Sequence, residues 1–194
     1  MIVFKAFDKK LRCSKGNGVV QYAVGKTESA ERSETRRTGI HSSEYVLECL
    51  VWYPLSSGGR VFECIAEDDI DEASDHVISS TLLTPVKELS LPEIVSEALA
   101  YMLRHPEDAG WELSSDSMCV ARKDEATALK GGIAIARGEN PKVRGKKGSV
   151  LALYKEGRKG RRPVARLFTI GERWKPDTWY TLSGNEIVEV ACND

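Results

Sequence analysis

The sequence contains no uninterrupted apolar run of about 18 residues, the length that a membrane-spanning helix requires. We therefore expect no membrane segment and a cytoplasmic location in a host cell. The five cysteines are an odd number, are widely spaced and form no CxxC pair. This pattern favours reduced thiols over a disulfide framework.

Catalytic and metal-binding signatures are also missing. The chain has no GxSxG, HExxH or P-loop motif. His76 and His105 have no cysteine or acid at the spacing of metal ligands. The sequence therefore predicts no metal and no cofactor, and it favours a protein that is not an enzyme.

The composition that is present is typical of a folded domain. Hydrophobic residues make up 41% and charged residues 29% of the 194 positions, as in ordinary globular proteins. We predict an α+β fold, in which an N-terminal mixed sheet with two helices precedes C-terminal antiparallel β-hairpins. The pattern of apolar residues and glycines changes after Gly110. This change divides the chain into residues 1–110 and 111–194.

Apolar periodicity predicts the elements of the first part. Alternation or β-branched content indicates strands at residues 2–7, 19–24, 61–66 and 77–84. Tyr45, Cys49 and Tyr53 recur with helical spacing, so we predict a helix that Ser42 or Ser43 caps and that Pro54 ends. Residues 68–75 are expected to form an acidic loop. A second helix begins at the capping box of residues 90–93 and ends near residue 105.

Glycines and short alternating segments characterise the second part. Residues 150–154 and 164–170 predict one hairpin, and residues 179–182 and 186–190 predict another with Gly184 in its turn. Between residues 131 and 153, short segments of small residues are separated by glycines. They resemble the remnant of a small-residue β-repeat, in which each rung turns at glycine.

The charges are distributed unevenly. Residues 137–166 contain eleven basic and two acidic side chains, whereas residues 63–75 contain seven acidic side chains and no basic one. The basic stretch predicts an anionic partner, although a solvated hairpin has the same composition. The candidate partner-binding residues are Arg144, Lys146, Lys147, Lys155, Arg158, Lys159, Arg161, Arg162 and Trp174. The alternative is an acidic face that mimics nucleic acid, formed by Glu67, Asp68, Asp69, Asp71, Glu72 and Asp75.

Four further side chains are candidates for a role in function or in packing. His41 lies just before the predicted helix, where it is either a general base or a packed structural residue. Cys49 and Cys64 occupy apolar periodic positions, which favours core packing over a nucleophilic role. Trp174 lies between Arg173 and Lys175, so we expect it to be exposed as an interface anchor.

Several segments resemble an uncharacterised family of phage and prophage proteins. They are Phe4-Lys5-Ala6-Phe7, residues 22–27, residues 39–43, residues 50–55, residues 60–63 and, near the end, residues 148–153 and 175–180. Longer members of that family carry a glycine-rich repeat array between their two parts. The resemblance implies an origin in a mobile element and no established activity.

The order of the first elements also resembles the N-terminal half of ADP-ribosyltransferase folds. That resemblance implies NAD chemistry with a His or Arg on the first strand and a late glutamate. Here the first strand carries Phe4 and Lys5, and only Glu186 or Glu189 is available as the late acid. His41 is the catalytic candidate under this alternative.

Charge, missing motifs and the phage resemblance together favour a non-enzymatic binding protein. We expect it to inhibit a host defence complex, such as a CRISPR effector, by electrostatic surface binding. Its partner would be a host protein or ribonucleoprotein, with nucleic acid as a further partner of the basic hairpin. The alternatives are an NAD-using ADP-ribosyltransferase and a phage accessory or structural module.

Overall fold

The computed structural model describes residues 1–14, 18–72, 76–116, 118–157, 162–171 and 173–190. Short helices and a large proportion of strand, paired mainly antiparallel, confirm the α+β class in outline. The chain forms two compact units, Met1–Ser90 and Leu91–Asp194. The structural division therefore precedes the long helix at Leu91–Arg104. The boundary that we predicted from the sequence follows that helix, after residue 110.

The first unit contains seven described strands and three short helical segments. The strands are β1 (Ile2–Phe7), β2 (Arg12–Cys13), β3 (Val20–Gln21), β4 (Glu28–Ser29), β5 (Ile40–Ser43), β6 (Arg60–Glu72) and β7 (Val77–Glu88). The helical segments are a 3-10 helix at Val46–Glu48, helix α1 at Cys49–Trp52 and a 3-10 helix at Leu55–Ser57.

The main sheet of this unit has the order β4-β7-β5-β1-β6, and β6 also pairs with β7. Every described pairing in it is antiparallel, so the expectation of a mixed sheet is wrong. The sheet closes on itself because β6 pairs with β1 on one side and β7 on the other. The register of β6 shifts between Glu67 and Ile70, and a bulge of this kind bends a strand.

Two local expectations in this unit need correction. His41, Ser42 and Ser43 belong to strand β5, and helical backbone begins only at Val46. The Ser43 hydroxyl still accepts a hydrogen bond from the Tyr45 amide at 3.1 Å, so it organises the turn that precedes the helix. The predicted acidic loop is also wrong for its first part, because strand β6 continues as far as Glu72.

The described residues of the second unit form one helix and seven strands. They are helix α2 (Leu91–Arg104) and strands β8 (Leu113–Asp116), β9 (Cys119–Ala128), β10 (Ile133–Gly145), β11 (Val150–Lys155), β12 (Val164–Thr169), β13 (Tyr180–Ser183) and β14 (Glu186–Glu189). The two hairpins predicted from the sequence are present as β11–β12 and β13–β14.

Strands β9, β10 and β11 pair in parallel, which contradicts the expectation of antiparallel hairpins alone. The link between β9 and β10 has four residues, 129–132. Parallel pairing requires the chain to return to the beginning of β9 before β10 starts. Four linking residues span only about 14 Å, which is too short for that return along a straight strand. Each strand therefore reverses internally, at Asp124 in β9, where φ is 61°, and at residues 138–141 in β10, where the register shifts.

The result is a stack of two rungs, each built of an outgoing and a returning segment. The returning segments, residues 125–128 and 142–145, pair with each other, and Val143 also pairs with Tyr180 of β13. Small side chains fill the space between outgoing and returning segments because the rungs are narrow: Ala126, Ala128, Ala134 and Ala136 are all buried there. Helix α2 packs on the outgoing side, on strands β10, β11 and β12.

Candidate functional site

The returning side of the rungs presents an outer surface that carries aromatic and basic groups. Val143 and Tyr180 point into the core, so their neighbours Arg144 and Trp179 point outward by strand alternation. The Arg144 guanidinium lies 4.7 Å from the centre of the Trp179 ring. Both side chains are partly exposed. Arg144 makes no hydrogen bond or ion pair with another described residue.

Two equivalent turns at one edge of the stack carry lysines. The pairing of Ala128 with Gly145 and of Ile133 with Val150 aligns Lys130 with Lys147. It also aligns the glycines that follow them, which have φ of 70° and 81°. Glycine fits these positions because left-handed backbone is costly for residues with a side chain. The two lysines therefore lie one strand spacing apart, about 4.8 Å at the backbone.

A shallow groove adjoins these lysines. Its lining consists of Lys130, Lys146 and Lys147 together with the apolar side chains of Met118, Leu129 and Pro176. Lys146 is paired with Asp177 at 2.8 Å. Within the described ranges, Lys130 and Lys147 are exposed and have no acidic partner. We use the name basic face for Arg144, Trp179, Lys130, Lys146 and Lys147.

The other predicted basic residues lie elsewhere or outside the described residues. Arg158, Lys159 and Arg161 are among the residues that the structure does not describe. Lys155 ends strand β11, whereas Lys147 lies just before that strand begins. The structure therefore brings Arg144, Lys146 and Lys147 together and separates them from Lys155. Exposed Arg162 lines a different groove, together with Leu103 and Arg166.

One cation of the basic stretch is structural. Arg137 is buried between two rings, 5.2 Å from the centre of Trp111 and 5.0 Å from that of Tyr154. Its Nε donates to Glu156 at 3.1 Å, and its Nη2 donates to the Pro106 carbonyl. Its Nη1 is buried without a described partner. Arg137 therefore belongs to the interior of the unit and not to its surface charge.

Trp174 differs from its expected role as an exposed anchor. It is partly buried and packs on the core, 5.1 Å from the Phe168 ring and 5.3 Å from the Tyr180 ring between centres. The Arg173 guanidinium covers it at 5.0 Å. In the same unit, Trp179 faces outward beside Arg144.

The acidic face is largely engaged within its own unit. Asp69 accepts a hydrogen bond from the Ser33 hydroxyl at 2.9 Å, and Asp68 accepts one from Thr81 at 2.8 Å. Asp71 accepts from both the amide and the hydroxyl of Thr35. These bonds lower the pKa of Asp71 and hold it ionised. Glu67 and Glu72 are exposed, and Asp75 lies outside the described residues.

His41 lies beside a buried lysine. The Lys5 ammonium donates to the His41 carbonyl, and the imidazole Nε2 accepts a hydrogen bond from the Arg36 amide at 2.8 Å. Burial and then the positive charge of Lys5 lower the pKa of His41. The Nε2 atom of this imidazole is therefore occupied as an acceptor in the folded chain.

The thiols of Cys49 and Cys64 are buried, and burial raises the pKa of each to about 12. Such thiols are protonated at neutral pH and are poor nucleophiles. The described residues include no cluster of three or more His, Cys, Asp or Glu side chains placed to hold a metal ion. The helices of the described chain are too short or too polar to cross a membrane.

Residues 1–97 match a family model that is described as a domain of unknown function. The chain belongs to this uncharacterised family, DUF7666. No curated protein and no solved structure matches the sequence. The family match covers the first unit and the start of α2, so the basic face lies outside it.

Sequence reasoning missed Lys130 and Trp179. The repeated Lys-Gly pair at residues 130–131 and 147–148 was a usable signal for equivalent turns. The outward direction of Trp179 depends on the pairing of Val143 with Tyr180, which no local pattern indicates.

Proposed function

We propose that this protein is a non-enzymatic binding protein that recognises an anionic partner through the basic face of its second unit. The observation that carries the proposal is the presence of three cationic side chains without described acidic partners, Arg144, Lys130 and Lys147, around one exposed surface. Charges placed in this way attract phosphates or carboxylates and speed association with them.

The wider role that we propose is inhibition of a host defence complex that handles nucleic acid, such as a CRISPR effector. The resemblance to phage and prophage proteins supports this role, and so does a surface suited to a polyanionic component. The acidic face is the weaker candidate because Asp68, Asp69 and Asp71 already accept hydrogen bonds within their own unit.

The test is a cleavage assay with a purified effector ribonucleoprotein from a natural host, titrated with the purified full chain at two salt concentrations. We expect inhibition that weakens as salt rises, because exposed charges are screened. The double variant Lys130→Glu/Lys147→Glu should lose inhibition, while the matched control Lys26→Glu, an exposed lysine of the first unit, should retain it. Absence of inhibition and of binding to the complex by the unaltered protein would refute the proposal.

A further inference from the structure

The basic face combines charge with flat surfaces, and this combination distinguishes single-stranded nucleic acid from other polyanions. The Arg144 guanidinium lies over the Trp179 ring, 4.7 Å from its centre, and forms a stack with it. Both side chains are partly exposed. Arg144 makes no hydrogen bond or ion pair with another described residue. Unpaired bases stack on such guanidinium planes and on aromatic rings.

The groove beside this stack offers a second site of the same character. Its lining combines the apolar side chains of Met118, Leu129 and Pro176 with three lysines. A base that lies on the apolar side chains leaves its phosphate within reach of Lys130 or Lys147. Acidic peptides supply carboxylates but have no flat face for Arg144, and duplex bases are already stacked on one another.

The two sites are adjacent along the chain. Arg144 is separated from Lys146 only by Gly145, which ends strand β10. Asp177 follows Pro176, which lines the groove. The Asp177 amide donates to the Gly145 carbonyl at 2.9 Å, and its carboxylate pairs with Lys146. These contacts hold the Trp179 surface and the groove on one continuous edge of the second unit.

We infer that the basic face binds single-stranded nucleic acid, with one base on the Arg144–Trp179 stack and phosphates at Lys130 and Lys147. This inference rests on the proposed function and names the component of the partner that the same surface contacts. Because it needs unstacked bases, binding depends on strandedness as well as on charge.

The experiment measures fluorescence anisotropy of a labelled oligothymidylate of about a dozen nucleotides, titrated with the full chain. We expect log affinity to fall with log salt with a slope of about −1.4, since two cations, Lys130 and Lys147, contact phosphate on a single strand. The Trp179→Ala variant should bind about tenfold more weakly, because loss of one stacked base has about that effect. Lys130→Glu/Lys147→Glu should reduce both affinity and slope.

Matched variants separate stacking from folding and from general charge. Trp179→Phe keeps an aromatic ring, so it should retain most of the affinity. Trp52→Ala removes a tryptophan that is 62% exposed in the first unit, and it should leave binding unchanged. Far-ultraviolet circular dichroism of each variant verifies the fold.

Three outcomes would overturn the inference. In the first, the duplex of the same sequence binds as tightly as the single strand and Trp179→Ala has no effect. In the second, polyglutamate competes as well as the oligonucleotide, which identifies an acidic protein surface as the ligand. In the third, no oligonucleotide binds although the lysine variants lose inhibition of the effector complex. That last result leaves the proposed function intact. Failure of both the oligonucleotide-binding assay and the cleavage-inhibition assay refutes both this inference and the proposed function.

Discussion

The acidic face of the first unit and the basic face of the second unit differ in how many of their charges are engaged internally. In the first unit, Asp68, Asp69 and Asp71 accept hydrogen bonds from Thr81, Ser33 and Thr35, so acidic groups fasten loops and strands of their own unit. In the second unit, Arg144, Lys130 and Lys147 have no such described partners. Net charge along the sequence is therefore a poor guide to a binding surface until the internal partners of each charge are known.

The family match coincides closely with the first unit. The family match ends at residue 97, within helix α2, and the rungs with their basic turns follow it. The family match therefore covers the whole closed sheet of the first unit and none of the candidate site. Experiments on the first unit test its folding, and experiments on the second test both folding and binding.

The largest effect should come from the buried cation of the second unit. Replacing Arg137 with alanine removes the group between Trp111 and Tyr154 and leaves the Pro106 carbonyl unpaired. We expect the free energy of unfolding to fall by about 3 kcal/mol. Urea denaturation measures the loss, and hydrogen exchange should locate it in residues 119–155.

Arg166→Ala is the matched control for this prediction. Arg166 is exposed and donates only to the carbonyls of Asn185 and Ala165. Its replacement should change the unfolding free energy by less than about 0.5 kcal/mol. Equal effects of the two replacements would mean that Arg137 is no more important than a surface cation.

An intermediate effect is expected at a glycine of the first unit. Gly39 has φ of 95°, and an added Cβ would lie 2.2 Å from the Ser79 hydroxyl oxygen. Gly39→Ala should cost about 2 kcal/mol of unfolding free energy through strain and overpacking. Gly25→Ala is the control, since its φ is 75° but nothing lies within 4 Å, and it should cost about 1 kcal/mol. Equal costs would show that conformation alone, and not contact with Ser79, matters at Gly39.

The smallest effect concerns pH and His41. Burial and Lys5 lower the pKa of His41 in the folded chain, so the unfolded chain binds this proton more readily. The contribution to stability is complete above the unfolded pKa of about 6.5 and is lost as pH falls from there towards the folded pKa. Protonation also removes the acceptor that the Arg36 amide uses.

Melting temperatures between pH 7.5 and 5 test this prediction. The His41→Gln variant keeps a side-chain acceptor but does not titrate, so its melting temperature should depend less on pH than that of the unaltered protein. Nuclear magnetic resonance titration of the imidazole measures the pKa directly. A normal or raised pKa would contradict the prediction.

Local sequence patterns predicted individual elements well. Alternation located β1 at Ile2–Phe7, and the capping box located helix α2 close to its observed start. Both signals depend on neighbouring residues and on periodic burial, which a sequence displays directly. The helix expected after Ser43 shrank to short segments because β5 takes His41–Ser43 into the sheet, so tertiary pairing overrode the local capping preference.

The candidate site was only partly predictable. Arg144, Lys146 and Lys147 were found from charge density, but Trp174 was expected to be exposed because charged residues flank it. The structure shows Trp174 packed against Phe168 and Tyr180. The direction of each ring depends on which residue faces the core of a distant strand, and flanking composition does not contain that information.

By itself, the sequence determined strand β1, helix α2, the positions of the glycine turns and the uneven distribution of charge. Only the tertiary structure decided that β9, β10 and β11 run parallel, that Lys130 stacks beside Lys147 and that Arg137 is interior. The physical reason is the separation along the sequence over which each kind of interaction acts. Propensity and periodicity act between neighbours along the chain, whereas parallel pairing and the burial of a cation depend on contacts between segments that are far apart in sequence.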